Sequence, residues 1–211
     1  DPSTPSRGTI LLFPGRTEYV EKYGLIASGL CALGSHVLTL DWRGHGLGDR
    51  PDQDRALGHV GHFDEYQLDV AAMVDLGRQL NLPEPWTLLG HSMGGCIGLR
   101  AVMEGLPVQA AAFTGPMWGI YVKPQLVLAA KLMAKIMPQI GRGHQLPPGT
   151  TLEPYVTAAP FEDNMLTTDP KMFEMMRAQT TAHPELALGG PSFVWLREAF
   201  AETKHLAGRA A

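Results

Sequence analysis

One serine of this chain has the neighbours that a nucleophile needs. Ser92 lies in WTLLGHSMGGCIGLRAV, residues 86–102, where an apolar run leads into Gly90 and a stretch of small, helix-compatible residues follows Gly94. A serine hydroxyl attacks a carbonyl only when a base can take its proton and the carbonyl can approach, so it must project from a sharp turn. Glycines on both sides keep such a strained turn uncrowded. The spacing therefore predicts acyl-transfer chemistry at Ser92.

The helix predicted after Ser92 would contribute to the same chemistry. The N–H groups in the first turn of a helix have no partner inside the helix, and the one on Met93 would point at the oxyanion of a tetrahedral intermediate. A simpler interpretation is a strand–turn–helix unit in which Ser92 only caps the helix. The strand before the turn, the helix after it and a second glycine at Gly95 favour the nucleophile.

Hydrophobic periodicity predicts the elements that position Ser92. Short apolar runs at residues 9–13, 36–40, 86–89 and 108–113 predict strands, and they alternate with helices predicted at about residues 18–33, at 63–80 and after Ser92. This alternation predicts an α/β fold, a mostly parallel sheet with helices on both faces. Ligands of such sheets bind beyond the carboxyl ends of the strands, where Gly15, Asp41 and Ser92 are expected.

The predicted helices have defined buried faces. The first is expected to bury Tyr19, Tyr23, Ile26, Leu30 and Leu33, and the second Tyr66, Val70, Met73, Val74 and Leu80. Both cysteines, Cys31 and Cys96, fall on helices that should pack on the sheet. We therefore expect two buried thiols and a reducing compartment, which favours a cytoplasmic protein.

The character of the chain changes at Pro116. Strand-like runs stop, and helices are predicted at about residues 124–137, 169–182 and 193–201. We interpret this part as a helical lid over the strand ends. The predicted domains are the core (residues 1–115), the lid (116–203) and a tail (204–211) that leads to a further part of the core.

Apolar residues of the lid are candidates for substrate binding. We expect Met117, Trp118 and Trp195, together with Gly15, to line a site for an acyl chain. Plain packing between lid and core is the alternative for each lid residue. The same apolar surface would allow a peripheral contact with a membrane, although no run approaches the ~20 apolar residues of a spanning helix.

Composition excludes some functions. With 45% apolar and 18% charged residues the chain is that of an ordinary globular protein. A net charge of −4 provides no electrostatic footprint for nucleic acid, so no nucleic-acid partner is expected. No oligomeric state follows from the sequence.

Four motifs, in order, resemble the α/β-hydrolase fold and, within it, the serine hydrolases grouped as lysophospholipase and monoacylglycerol lipase-like. They are FPGRTEY at residues 13–19, DWRGHGLGDR at 41–50, GHSMGG at 90–95 and GGPSFVWL at 189–196. The resemblance covers nearly the whole chain. It implies a serine carboxylic-ester hydrolase that needs no metal and no organic cofactor.

The resemblance also assigns residues. It implies that the backbone N–H of Arg16 joins that of Met93 as an oxyanion donor. Pro14 stands where a histidine usually begins this turn, which leaves the substrate class less defined than the fold. The loop at 41–50 is structural in the resembling family, so we favour neither His45 as a base nor the glycines of this loop as a dinucleotide fingerprint.

The rest of a catalytic triad is missing from the predicted core. The fold places an acid and then a histidine after two further strands. Downstream of Ser92 the candidates are Asp163, Asp169, His144, His183 and His205, and none follows a predicted strand. In the resembling family both residues come after the GGPSFVWL segment. We therefore expect a chain truncated at both ends, inactive alone and poorly soluble because of an open sheet edge.

The predicted function is hydrolysis of lipid-like esters, such as lysophospholipids or monoacylglycerols, through an acyl-enzyme on Ser92. One alternative is acyl transfer, or hydrolysis of small esters, on the same fold. The other is a non-catalytic remnant that lacks the triad acid and histidine.

Overall fold

A parallel sheet forms the centre of the fold. The computed structural model describes residues 6–50 and 54–209. The strands within these residues are β1 (Thr9–Phe13), β2 (His36–Thr39), β3 (Trp86–His91) and β4 (Ala110–Thr114), in the order β2-β1-β3-β4. Every neighbouring pair is parallel, and Leu11 of β1 lies between Leu38 and Leu88. The predicted α/β sheet is confirmed, and the carboxyl ends of the strands lie at one edge.

The first predicted helix is shorter than expected. Val20–Tyr23 forms a 3-10 turn, and α1 (Gly24–Ala32) follows it. The helix cannot begin at Glu18, because the Glu18 carboxylate folds back to accept a hydrogen bond from the Gly15 N–H. The backbone at Thr17, with a φ of 62°, is also not helical.

The predicted buried face of α1 is wrong. No residue of α1 is buried, Ile26 and Leu33 are 46% and 62% exposed, and Cys31 is exposed. The reason is position, since α1 packs mainly against the edge strand β2. Tyr19, Tyr23 and Cys96 are buried as predicted.

The second predicted helix is a 3-10 turn, Phe63–Glu65, followed by α2 (Tyr66–Gln79). Its predicted face is confirmed for Tyr66, Val70, Met73 and Val74, which are buried. Leu80 is 56% exposed, contrary to the prediction. The helix has ended there, and the chain reverses at Asn81, whose φ is 52°.

The core lies between the sheet and the helices α2, α3 (Met93–Met103) and α7 (Phe193–Arg209). A chain of aromatic rings crosses it. The centroid distances are 5.1 Å for Phe13–Trp42, 5.9 Å for Trp42–Tyr66, 5.1 Å for Tyr66–Phe63 and 6.2 Å for Phe63–Trp195. Three of the four contacts are edge-to-face, the arrangement that the ring quadrupoles favour. This row of aromatic contacts links Phe13 of β1 to Trp195 of α7.

The part of the chain at residues 116–192 is helical, as predicted, and we call it the helical segment. It contains α4 (Val127–Gln139), α5 (Tyr155–Ala158) and α6 (Pro170–Ala182). Asp169 caps α6 by accepting the Lys171 N–H at 2.8 Å. None of the helices in the described ranges combines the length and the hydrophobicity of a transmembrane span.

Helix α7 is longer than predicted and crosses the boundary drawn between residues 203 and 204. Trp195, Ala199 and Leu206 belong to the core, and buried Glu202 pairs with Arg100 of α3 at 2.8 Å. These contacts continue the helix to Arg209, so the predicted tail is helical up to that residue. By its packing, α7 belongs to the core. The outer ends of the predicted domains, residues 1–5 and 210–211, lie outside the described residues.

Candidate active site

Ser92 occupies the turn between β3 and α3. Its φ of 49° and ψ of −116° lie where residues with a side chain are rarely found. Hydrogen bonds hold this turn on both sides: the Ser92 N–H donates to Thr114 O at 3.1 Å, and the N–H groups of Gly95 and Met117 donate to Ser92 O at 2.9 and 2.8 Å. A serine with this strained backbone conformation, between a strand and a helix, projects its side chain from the edge of the sheet.

Gly94 allows the first turn of α3 to pack directly against the carboxyl end of β1. A Cβ on Gly94 would lie 2.2 Å from Phe13 O and 2.5 Å from Pro14 O. A Cβ on Gly90 would lie 2.9 Å from the oxygen of Gly94. Side chains are excluded at such distances, so the two glycines determine how closely β1, β3 and α3 approach one another.

The turn at residues 14–17, which we call the oxyanion turn, lies against Ser92. A Cβ on Gly15 would be 3.2 Å from the Cβ of Ser92. Within the described part of the chain, the backbone N–H groups of Arg16 and Met93 have no hydrogen-bond partner. Both predicted donors are therefore unengaged, on residues next to Gly15 and Ser92, which is what stabilisation of an oxyanion requires.

A buried carboxylate holds the oxyanion turn. Glu18 accepts the Gly15 N–H at 2.5 Å and also accepts from the Tyr23 hydroxyl and the Lys22 ammonium. His91 Nε2 lies 3.7 Å from its Oε1. Burial, and then the charge of Glu18, raise the pKa of Tyr23, which keeps the phenol protonated as a donor. Sequence reasoning missed Glu18; the one signal was an acidic residue inside the FPGRTEY motif.

The loop at residues 41–50 supports the oxyanion turn from another side, as predicted. The Trp42 indole N–H donates to Pro14 O at 2.9 Å. Asp41 accepts the backbone N–H groups of Val20 and Leu47, each at 2.9 Å. The loop thus ties the turn to the strand end of β2 and contributes no group to Ser92.

Burial of His45 in this loop makes stability depend on pH. Burial, with a smaller contribution from the nearby positive charge of Arg16, lowers the pKa of His45 to about 3. In the unfolded chain this ring has a pKa of about 6.5. The free energy of unfolding therefore decreases as the pH is lowered from about 6.5 to about 3, by up to ~1.4 kcal/mol per pH unit. We expect His45→Gln to remove this contribution in urea unfolding at pH 7 and pH 5. The exposed control His36→Gln should keep it, and an unchanged pH dependence in His45→Gln would contradict the assignment.

The predicted substrate residues fall into separate places. Gly15 and Met117 contact the Ser92 turn directly. Trp118 is 49% exposed, donates from its indole to Gly95 O at 3.4 Å, and lines a groove of about 490 Å³ beside α7. Trp195 is 4% exposed and belongs to the core. Trp195, at the start of α7, packs against other protein side chains. Its expected contact with substrate is therefore not found in this structure.

A second groove, of about 480 Å³, lies between the oxyanion turn and the helical segment. Arg16 and Thr17 line it on one side, and Tyr155, Leu166 and Leu188 contribute apolar surface on the other. Sequence reasoning missed these three residues because nothing in their spacing relates them to Ser92. The groove begins at the oxyanion turn.

None of the candidate acids and bases is brought to Ser92. His144 stacks on His59 at 4.2 Å, His183 faces Glu185 at 3.3 Å, and His205 is exposed on α7. Asp169 caps α6, and Asp163 lies in a 3-10 turn. Within the described residues, no side chain makes a hydrogen bond with the Ser92 hydroxyl, and no group of three or more His, Cys, Asp or Glu could hold a metal.

The sheet order β2-β1-β3-β4 and the strand–turn–helix at Ser92 define a protein of the α/β-hydrolase fold. The sequence model of one family, Hydrolase_4, described as "Serine aminopeptidase, S33", matches residues 4–211, and the chain belongs to this family. The resemblance seen in the four motifs is thereby confirmed.

Relatives of known name agree with this assignment. The chain is 33% identical over 195 residues to lysophospholipase L2 of Escherichia coli (strain K12), covering 90% of this chain and 55% of that protein. It is 32% identical over 171 residues to the monoacylglycerol lipase of Mycolicibacterium smegmatis, covering 78% and 58%. The chain thus spans somewhat more than half the length of these curated relatives.

A solved structure agrees with the fold. The monoacylglycerol lipase of Paleococcus ferrophilus superposes with a TM-score of 0.66 at 23% identity, covering 98% of this chain and 70% of that one.

Proposed function

We propose that the full-length protein is a serine hydrolase of lipid-like carboxylic esters. The observation that carries this proposal is the strained Ser92 at the β3–α3 turn, with the unengaged N–H groups of Arg16 and Met93 beside it. Ser92 Oγ attacks the ester carbonyl and gives its proton to a base, and the two N–H groups bind the oxyanion. Collapse expels the alcohol, which takes that proton, and water then hydrolyses the acyl-enzyme.

The general base and its acid partner are, on this proposal, supplied by residues other than these 211. Support comes from the described residues, where no side chain hydrogen-bonds the Ser92 hydroxyl. The 211 residues produced alone should therefore be inactive, because an unactivated serine keeps the high pKa of an alcohol. Backbone donors without a base leave only a small part of the rate enhancement.

The substrate proposed is a lysophospholipid or a monoacylglycerol. The names of the curated relatives support this class, and so does the apolar groove beside the oxyanion turn, which would take the acyl chain. Gly15 and Met117 would contact the reacting carbonyl region. Trp118 lines the other groove, beside α7, and lies outside the path proposed for the acyl chain.

A substrate panel tests the proposal. Full-length protein would be incubated with lysophosphatidylcholine, monooleoylglycerol, trioleoylglycerol and p-nitrophenyl acetate, and free fatty acid or nitrophenol measured. We expect the first two to be cleaved fastest. Preference for the acetate would favour a small-ester esterase, and acyl transfer to an added alcohol in place of water would favour an acyltransferase.

A fluorophosphonate probe locates the base. We expect Ser92 to be labelled in the full-length protein and unlabelled in the 211 residues alone, read by intact mass. Labelling of the short chain would mean that its own His144, His183 or His205 can act. No labelling and no turnover in the full-length protein would instead favour a non-catalytic protein.

We also propose a peripheral membrane contact through α4. Leu128, Leu132, Ile136 and Ile140 follow one another at four-residue spacing and are 80%, 54%, 40% and 58% exposed. Residues 105–152 include three lysines and one arginine and no acidic residue. An apolar stripe within a basic segment suits the surface of an anionic bilayer.

Vesicle binding tests this contact. The double variant Leu128→Ser/Leu132→Ser should bind vesicles of phosphatidylglycerol and phosphatidylcholine at least about tenfold more weakly in sedimentation, since each leucine buried in lipid contributes ~1.5–3 kcal/mol. The control Leu25→Ser, which removes an equally exposed leucine from α1, should bind as the unmodified protein does. Equal binding of all three proteins would refute the contact.

A further inference from the structure

The side chain of Arg16 is partly buried and has no ionic partner among the described residues. No carboxylate of the described residues lies within ion-pair distance of its guanidinium, and its Nε has no hydrogen-bond partner. Burial lowers the pKa of Arg16 to about 10. Removing a charged group from water without an ionic partner costs free energy. This cost favours a specific role for the guanidinium, one that a smaller or neutral side chain would not perform.

The guanidinium sits in a socket made by a different part of the chain. Nη2 donates to Gly189 O at 2.7 Å, and Cζ lies 5.0 Å from the ring centroid of Trp195. A Cβ on Gly58 would lie 2.4 Å from Nη2, so glycine leaves the space that the guanidinium fills. The Gly58 N–H donates to Gly190 O at 2.9 Å, which closes the socket.

Besides Gly58, the socket is made by residues 189–195, which join the helical segment to α7. The backbone of Arg16, in contrast, belongs to the oxyanion turn, where its N–H is unengaged. One residue therefore reaches both places. A movement of residues 189–195 would act on the guanidinium of the same residue that carries this N–H.

We propose that the Arg16 side chain is a positioning group that fixes the direction of its own backbone N–H by anchoring the oxyanion turn to residues 189–195. This inference rests on the proposed function. It makes the rate of the chemical step depend on how the helical segment is seated, because an oxyanion donor acts only when it is aimed at the developing charge.

Two substitutions in the full-length protein perturb the anchor from opposite sides. Arg16→Met removes the guanidinium, and Gly58→Ala keeps Arg16 but displaces its end from the socket. Loss of one oxyanion donor costs about 10²- to 10³-fold in kcat. We expect a smaller fall of about 10- to 100-fold for both variants, with KM for monooleoylglycerol within about threefold, and partial rescue in Arg16→Lys.

A trifluoromethyl ketone with a long acyl chain separates positioning from folding. It forms a tetrahedral oxyanion on the serine, so its affinity should fall in parallel with kcat, while Tm changes little. Arg55→Met, an exposed arginine of the loop that carries Gly58, is the control and should match the unmodified protein. Unchanged kcat in a folded Arg16→Met, or in Gly58→Ala if Arg16→Met does not fold, would overturn the inference. If the unmodified protein neither hydrolyses ester nor is labelled at Ser92, the proposed function itself fails.

Discussion

Ser92→Ala is expected to abolish ester hydrolysis by the full-length protein, with a loss in kcat on the order of 10⁶-fold. On the proposed mechanism the Ser92 hydroxyl forms the acyl-enzyme, so its removal leaves the N–H groups of Arg16 and Met93 without an oxyanion to stabilise. Stability should change little. The Ser92 backbone carries the hydrogen bonds to Thr114 and Met117, and alanine keeps them.

The matched control is Ser28→Ala, which removes the hydroxyl of an exposed serine on α1. Fatty-acid release would be measured for both variants, and fluorophosphonate labelling with intact mass would show whether any other serine reacts. Turnover by Ser92→Ala within tenfold of the unmodified protein would mean that another residue is the nucleophile and that the strained turn has a purely structural cause.

Gly94→Ala is expected to destabilise the protein by about 3 kcal/mol or more. In an unhindered helix the same change is stabilising by up to ~1 kcal/mol, because alanine has the higher helix propensity. At Gly94 the new Cβ would lie 2.2 Å from Phe13 O and 2.5 Å from Pro14 O. Both are backbone atoms at the end of the central strand, so neither can move aside without displacing the oxyanion turn.

Gly29→Ala tests that reasoning within the same chain. Gly29 also lies in a helix, α1, and a Cβ there would meet nothing within 4 Å. The free energy of unfolding, from urea titration followed by circular dichroism, should fall in Gly94→Ala and stay level or rise in Gly29→Ala. Equal effects in both would show that helix propensity decides and that the contact of α3 with β1 is loose.

Local chemistry explains what could be read from the sequence. The four strands, the helical segment and Ser92 with its two glycines depend on residue types a few positions apart, and those interactions are the same wherever the segment lies. The unengaged N–H of Met93 follows equally from its place as the first residue of a helix. The proposal that Arg16 supplies a second donor needed the resemblance to a family, since nothing local identifies it.

The burial of side chains was decided only by tertiary structure. Helix α1 is rich in apolar residues, yet Ile26 and Cys31 are exposed because α1 packs on an edge strand. Trp195 is a large aromatic residue of the kind that lines binding sites, but it is buried in the core beneath the Arg16 guanidinium.

Long-range partners were equally out of reach of the sequence. The carboxylate of Glu18 turns back onto Gly15, and the guanidinium of Arg16 crosses to Gly189, 173 positions along the chain. By itself, then, the sequence determined the α/β alternation and the strand–turn–helix at Ser92, because both depend on neighbours along the chain. The packing of the sheet and helices decided which charged groups hold that turn in place, because their partners are neighbours only in space.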